Sequence, residues 1–286
     1  MWNKFVAFIL FVPLMAFAQL PETDLWLFKL KKESNQLQLG EGKNITNRKG
    51  YDNQPHFSQD NKQILFVSIR EDNQSDVYAY DIKKQVSTQI TKTKVSEYSP
   101  SYTPDGKFIS CVVVEADSAQ RLWLYHPDGS ISKCYEEGID SIGYYSWLSK
   151  DTMLYYKLTD PHSLRMFCKA NGNNVWLADH PSRAFKRTLG NVFLYAIKDT
   201  ASIQYRKYNT LIKRSDEYAK HKSKSEDFVW NEELGLVKSE GTQLLRYDEK
   251  SGGWPLLFDF AALGIKKITR FAFDSKNKQL VIVDNN

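Results

Sequence analysis

A turn motif that recurs at a fixed spacing constrains the fold of this chain more than any other feature. Residues 55–68 and 100–113 both read Pro, any residue, aromatic, Ser or Thr, any residue, Asp, Gly or Asn, Lys, and then an apolar run. The Asp-Asn and Asp-Gly pairs in these stretches are typical of tight hairpins between two strands. The chain is therefore built from one repeated supersecondary unit.

The aromatic residue of the motif gives the length of the unit. Tyr102 follows Phe57 by 45 positions, and Trp147 follows Tyr102 by another 45. We assign the later units to three further aromatic anchors: Phe185, Trp230 and Phe273. The fourth and fifth units lack the Pro-Asp-Gly form of the turn, so their assignment depends on the rhythm of the strands, whereas the turn is repeated at residues 273–277.

Each unit also contains a second hairpin. In the first unit, an alternating strand at residues 76–81 precedes a short strand at residues 89–91. In the second unit, a strand at residues 121–125 precedes a Pro-Asp-Gly turn. Four strands in about 45 residues are the signature of a propeller blade, whereas an ordinary β-sandwich needs no such period.

The two ends of the chain complete each other. After residue 267 the sequence has room for two strands only, at residues 268–273 and 279–284. Residues 24–30 and 43–46 resemble the second hairpin of the first unit, so the N-terminal hairpin should complete the C-terminal sheet. Such pairing leaves no open sheet edge between the first and last blades. The sequence predicts an all-β fold, a six-bladed β-propeller whose last blade is shared between the termini.

The first 18 residues have the design of a secretory signal peptide. A short basic start is followed by an apolar run of about 13 residues and by Ala16-Phe17-Ala18, which predicts cleavage after Ala18. A membrane anchor is the alternative, but the run is shorter than the ~20 residues that span a bilayer. We therefore expect a single propeller domain over residues 19–286, periplasmic or secreted, with no transmembrane segment after cleavage.

Charge and cysteine content narrow the classes of partner and cofactor. The net charge of +5 is a mild excess over 286 residues, and together with export it argues against nucleic acid as a partner. The odd number of cysteines leaves at least one free thiol. We expect Cys111 to be buried, while a Cys111–Cys134 bridge stays open as an alternative to free thiols. The histidines and cysteines show no zinc-ligand spacing, so we expect neither a metal nor another cofactor.

The repeated motif resembles the propeller repeat of the TolB family. The resemblance is close over residues 51–130 and includes Phe66-Val67-Ser68-Ile69-Arg70, Asp76-Val77-Tyr78 and Gln89-Ile90-Thr91. It implies a propeller that acts as a binding scaffold. Only a few residues separate the predicted leader from the first strand, so we expect no counterpart of the N-terminal α/β domain of TolB and take the resemblance to cover the propeller domain only. Prolyl-oligopeptidase-like peptidases share the repeat, but their GxSxG elbow is absent from this sequence.

Candidate binding residues lie where the chain enters the inner strands of the first three blades. In a propeller these loops line one mouth of the central channel. Tyrosines combine a rigid ring with a polar tip and suit recognition surfaces, although packing is an equally good interpretation for each one singly. The predicted mouth consists of Tyr51, Asp52, Asn53, Glu97, Tyr98, Tyr144 and Tyr145.

The sequence favours a binding function over catalysis. We find no catalytic grouping, and turn geometry explains Asp60 and Asp105 better than a pair of catalytic carboxylates does. The expected function is an exported, non-enzymatic scaffold that binds a protein or peptide partner in the cell envelope. The alternative is a propeller hydrolase or lactonase with a channel metal, which requires several carboxylate, Asn or His side chains to converge in the channel.

Overall fold

The computed structural model describes residues 21–34, 36–71 and 73–285, so the predicted leader and its cleavage site lie outside the described residues. The first two strands, β1 (Thr23–Glu33) and β2 (Gln36–Asn44), form an antiparallel hairpin. Blade 1 consists of β3 (Tyr51–Phe57), β4 (Gln63–Ile69), β5 (Ser75–Asp81) and β6 (Val86–Gln89). Blade 2 consists of β7 (Ser96–Tyr102), β8 (Ile109–Val114), β9 (Gln120–Tyr125) and β10 (Ile131–Cys134).

The remaining blades repeat this plan. Blade 3 consists of β11 (Ile142–Trp147), β12 (Thr152–Lys157), β13 (Ser163–Cys168) and β14 (Asn173–Asp179). Blade 4 consists of β15 (Pro181–Arg187), β16 (Val192–Lys198), β17 (Ile203–Asn209) and β18 (Arg214–His221). Blade 5 consists of β19 (Phe228–Asn231), β20 (Gly235–Glu240), β21 (Gln243–Arg246) and β22 (Leu256–Asp259). A 3-10 turn (Ala261–Leu263) then leads to β23 (Ile268–Phe273) and β24 (Gln279–Asn285).

The N-terminal hairpin closes the propeller as the sequence predicts. Strand β1 pairs antiparallel with β24, with Leu25 opposite Val283, so blade 6 has the strand order β23-β24-β1-β2. A single parallel pair between Thr23 and Tyr51 also connects this blade to blade 1. The six-bladed architecture with a shared last blade is therefore confirmed.

Apolar side chains on both faces of each sheet hold the blades together. In β4, Phe66 packs in a cluster with Leu25 and Val281 of blade 6. The preceding residue, Leu65, packs in a different cluster with Cys111 of blade 2. Successive side chains of a strand point to opposite faces, and here both faces meet a neighbouring blade. This explains why the middle strands read as unbroken apolar runs rather than as alternating ones.

The aspartates of the repeated motif close its hairpins. Oδ1 of Asp60 accepts hydrogen bonds from the hydroxyl of Ser58 at 2.7 Å and from the backbone N–H of Lys62 at 3.1 Å. Asp105 accepts the corresponding bonds from Thr103 and Lys107 at 2.7 and 3.2 Å. These contacts confirm that both aspartates have a structural role in their turns.

The anchor of blade 4 differs from the sequence prediction. In blades 1 to 3 the anchor aromatic is the last residue of the inner strand and lies opposite the first or second residue of the next strand, as Phe57 lies opposite Ile64. In blade 4 that position belongs to Arg187, which lies opposite Phe193, and the predicted anchor Phe185 is two residues too early. Residues two apart in a strand share a face, so Phe185 can still pack in the interface between blades 3 and 4. An aromatic pattern alone could not distinguish these two registers.

Cys111, Cys134 and Cys168 are all free, and Cys111 is buried as expected, so the alternative of a Cys111–Cys134 bridge is wrong. Within the part of the chain that the structure describes, no helix has the length and apolar character needed to cross a membrane.

Candidate binding site in the central channel

The inner strands of the six blades surround a cavity of about 450 Å³. Every blade contributes to its wall. In blades 1 to 4 the contributions come mainly from the second half of the inner strand, whereas blade 5 contributes Asp227 and Phe228 at the start of its inner strand and blade 6 contributes Arg270 and Phe271 from the middle of its strand. A second cavity of about 480 Å³ shares His56, Gln59 and Lys186 with the first and continues towards the hairpins of blades 1, 5 and 6. The volume of the first cavity lies in the range that holds a small molecule or a short peptide segment.

Bulges in the inner strands shape the wall of the channel. Gln54 and Ser99 occupy equivalent positions in blades 1 and 2, have positive φ values of 58° and 53°, and lie where the strand registers shift. The side-chain oxygen of Gln54 accepts a hydrogen bond from the backbone N–H of Ser99 at 2.6 Å. A β-bulge redirects the side chains next to it, and here it also joins neighbouring blades.

Two guanidinium groups share one carboxylate in the wall. Oδ1 of Asp227 lies 3.5 Å from Nε of Arg183 and 3.7 Å from Nη1 of Arg270. Both distances exceed those of a good charge-assisted hydrogen bond, and Nε of Arg183 is buried without a hydrogen-bond partner. Nη2 of Arg183 donates instead to the backbone oxygen of Thr269 at 2.7 Å, which fixes the guanidinium across the gap between blades 4 and 6.

A lysine and a histidine lie further along the same wall. Burial lowers the pKa of Lys186, and the charge of Arg270 lowers it further against the opposing effect of Asp227. Burial and then the charge of Lys186 lower the pKa of His56 to about 4, so the imidazole is neutral at pH 7. Its Nε2 lies 3.3 Å from the hydroxyl oxygen of Ser101 in the next blade.

Two of the predicted tyrosines, Tyr51 and Tyr144, lie near the arginines. Burial raises the pKa of Tyr51, with the charges of Arg270 and Arg183 opposing the shift and Tyr144 and Tyr98 adding to it. The guanidinium carbon of Arg270 lies 5.3 Å from the ring centre of Tyr144, within the range of a cation–π contact. Of the predicted mouth residues, Tyr144 and Tyr145 line the cavity directly.

The hydroxyl of Tyr145 has a structural partner. It donates to the backbone oxygen of Ser110 at 2.7 Å and lies 2.8 Å from the side-chain oxygen of the same residue. This contact connects blade 3 to blade 2. Tyr145 therefore offers the channel the side of its ring rather than a free hydroxyl.

Asp52, Asn53 and Glu97 are buried and do not line the cavity, whereas Tyr51 and Tyr98 are half-buried and do not line it either. Asp52 forms an ion pair with Arg48, and Asn53 accepts a hydrogen bond from the backbone N–H of Gln54 at 2.8 Å. Glu97 is fully buried and accepts hydrogen bonds from Thr91, Thr93 and Tyr125. These contacts hold inner strands and blade edges in place.

Sequence patterns did not identify the histidine and the charged residues that line the channel: His56, Arg183, Lys186, Arg187, Asp227 and Arg270. Five of them belong to blades 4 to 6, and in blades 4 and 5 the turn motif is lost, so the register could not be set from the sequence. His56 precedes an anchor aromatic, and that position in the motif was its only signal.

The channel does not fit a divalent metal. Among the described residues, no group of three or more His, Cys, Asp or Glu side chains is placed to hold a metal ion. The carboxylate that reaches the cavity, Asp227, already lies between Arg183 and Arg270. A divalent cation at this point would be repelled by both guanidinium groups. The geometry therefore supplies no ligand set for the metal-dependent alternative.

Comparison with solved structures supports the fold assignment. A putative TolB from Agrobacterium tumefaciens superposes with a TM-score of 0.66 at 12% identity, covering 94% of this chain and 99% of that chain. TolB from Acinetobacter baumannii gives a TM-score of 0.58 at 10% identity, covering 92% of this chain and 63% of that chain. No protein-family model matches the sequence.

A propeller described as an enzyme is similar in shape as well. XC5397 from Xanthomonas campestris, a gluconolactonase, gives a TM-score of 0.63 at 9% identity and covers 91% of this chain and 95% of that chain. Identities this low carry information about the fold alone. The chain therefore has the fold of the TolB propeller domain, as its repeat indicated.

Proposed function

We propose that this chain is an exported, non-enzymatic propeller scaffold that binds a protein or peptide segment of the cell envelope in its central channel. The observation that carries the proposal is the cavity of about 450 Å³ that all six inner strands line. The signal-peptide pattern of residues 1–18 supports export to the periplasm or the outside of the cell.

The chemistry of the wall supports binding more than catalysis. Blades 2 to 6 each contribute aromatic rings to the wall, among them those of Tyr102, Tyr144 and Trp147. Polar and charged side chains line the same wall. Such a wall offers both apolar contact and hydrogen bonds, as recognition surfaces do. The hydroxyl of Ser101 lies 3.3 Å from Nε2 of His56, but it donates to the backbone oxygen of Tyr102 at 3.1 Å. Burial lowers the pKa of His56 to about 4, so its imidazole is a weak base for activating that hydroxyl.

The experiment is capture of partners from an envelope extract by the immobilised protein. We expect wild type to retain a specific protein or peptide and the Tyr144→Ala variant to lose most of it, because Tyr144 lines the cavity and contacts Arg270. Trp176→Ala is the matched control, since Trp176 is an aromatic residue on an outer strand and is 53% exposed. Equal capture by wild type and Tyr144→Ala would contradict a binding site in this channel. Metal analysis of the purified protein tests the alternative, since a stoichiometric divalent metal would contradict a pure scaffold.

A further inference from the structure

The charges of the channel wall are unbalanced. The described residues that line the cavity include four with basic side chains, Arg183, Lys186, Arg187 and Arg270, and a single acidic one, Asp227. His56 is neutral at pH 7 and does not change this balance. A concave wall that carries one sign of charge concentrates ions of the other sign.

The cationic groups are also incompletely bonded. Arg183 and Arg270 share one oxygen of Asp227 at 3.5 and 3.7 Å, so neither makes the two parallel hydrogen bonds that a guanidinium can give a carboxylate. The ammonium of Lys186 makes no hydrogen bond or ion pair with any described residue. An unpaired charge in a half-buried wall is costly unless a ligand or water compensates it.

From this arrangement we infer that the channel is a carboxylate-binding site, in which Arg183, Arg270 and Lys186 receive an acidic group of the bound peptide or protein segment. Asp227 already shows that a carboxylate fits between the two guanidinium groups. A ligand carboxylate that approaches from the cavity can use the donors that Asp227 leaves free, and Lys186 supplies a further charge. This inference depends on the proposed function and names the chemistry that its partner presents.

The direct test is calorimetric titration of the purified protein with three hexapeptides that are blocked at the N-terminus. The first carries two internal Asp residues and an amidated C-terminus, the second has Asn in their place and a free C-terminal carboxylate, and the third has Asn and an amidated C-terminus. We expect the first or the second to bind and the third not to bind. Comparing the first two peptides shows whether the channel binds a side-chain carboxylate or a C-terminal one. Inorganic phosphate is titrated separately, to test whether any simple anion binds.

Two substitutions should change the affinity in opposite directions. Lys186→Met should weaken binding of the carboxylate peptide by about tenfold or more, because one charged contact is lost. Asp227→Asn should strengthen binding by about tenfold, because the internal competitor of the ligand is neutralised. Lys276→Met removes the same charge from an exposed position and should leave the affinity unchanged. Lys186→Arg keeps the charge and should bind within a few-fold of wild type.

An NMR titration of His56 gives a readout that does not depend on affinity. A bound carboxylate near Lys186 should raise the pKa of His56 from its value of about 4, because it offsets the charge that lowers that pKa. The neutral peptide should leave it unchanged. A melting curve for each variant shows that it is folded.

Three results would overturn the inference. These are equal binding of the acidic and neutral peptides, binding of phosphate without either carboxylate peptide, and an affinity that Lys186→Met leaves intact. Capture from the envelope extract separates this failure from failure of the proposed function. If Lys186→Met captures the partner as wild type does while Tyr144→Ala does not, the result supports the scaffold function and contradicts the carboxylate site.

Discussion

The guanidinium of Arg48 donates from Nη2 to Oδ1 of Asp52 at 3.0 Å, and the carboxylate of Asp52 is fully buried. The same nitrogen also donates to the hydroxyl of Ser68 at 2.7 Å and to the backbone oxygen of Ile69 at 2.8 Å. Arg48 belongs to the link between β2 and β3, so these bonds attach the hairpin that closes blade 6 to the first two strands of blade 1.

Replacing Arg48 should therefore weaken the closure of the propeller. Arg48→Met leaves the buried carboxylate of Asp52 without its counter-charge, and we expect a loss of about 3 kcal/mol in the free energy of unfolding, measured by urea denaturation. The double variant Arg48→Met/Asp52→Asn should recover part of this loss because it no longer buries a charge.

A surface ion pair gives the control for this prediction. Lys84 lies 3.6 Å from Asp81, and its side chain is 78% exposed. Lys84→Met should change the free energy of unfolding by at most about 1 kcal/mol. A loss for Arg48→Met as small as that for Lys84→Met would show that the link does not depend on this ion pair.

Glu97 should make the stability depend on pH. Burial raises the pKa of Glu97 from 4.5 to about 7, against the opposing hydrogen bonds of Thr93 and Thr91. The folded protein therefore holds this proton more tightly than the unfolded chain does. The resulting stabilisation is complete below pH 4.5 and is lost as the pH rises through 7, a contribution of about 3 kcal/mol.

The variant Glu97→Gln removes this titration. We expect the variant to gain stability relative to wild type as the pH rises. The difference in the free energy of unfolding, variant minus wild type, should be larger at pH 8 than at pH 5 by up to about 3 kcal/mol. Comparing the two pH values cancels any constant cost of placing an amide among the hydroxyl donors. Parallel curves of stability against pH for wild type and variant would contradict the raised pKa.

Gly129 should be intolerant of any side chain. It has φ of +87°, and a Cβ at this position would lie 1.9 Å from the backbone oxygen of Ile90 in blade 1. Gly252 has a similar φ of +67°, but no atom outside its immediate neighbours lies within 4 Å of such a Cβ. Gly252→Ala should cost about 1 kcal/mol from backbone strain alone.

Gly129→Ala should cost clearly more than Gly252→Ala, because the turn of blade 2 must also move away from blade 1. Thermal denaturation of the two variants measures the difference. Equal melting temperatures would mean that the two blades do not make the close approach seen here.

The three thiols should differ in reactivity. Burial raises the pKa of Cys111 well above its usual range and raises that of Cys134 to a smaller extent. In the native protein we expect iodoacetamide to modify Cys134 and Cys168 slowly and Cys111 not at all, because the thiolate is the nucleophile and Cys111 is also inaccessible. Mass spectrometry after labelling counts the sites.

Denatured but unreduced protein is the control for the thiols. All three cysteines should then be labelled, since none is in a disulfide. A pair that becomes reactive only after reduction would contradict the free thiols.

The architecture could be predicted from the sequence because a propeller is built from a local repeat. The turn aspartates Asp60 and Asp105, the strand alternation and the unpaired hairpins at the two termini all follow from short-range patterns. The residues that line the channel were harder to predict. Asp52 and Glu97 were predicted to belong to the mouth, but their side chains are buried in the blades, where Arg48 and Tyr125 contact them.

What the sequence by itself determined is the all-β propeller, its period and the sharing of blade 6, since turn chemistry and strand pairing act over neighbouring residues. Only the tertiary structure decided which side chains meet in the channel. Arg183 and Arg270 lie in the inner strands of blades 4 and 6, where the register of each strand and its bulge place them, and Asp227 directly precedes the inner strand of blade 5. A register shift of one residue sends a side chain to the opposite face, so their meeting is a property of three blades together.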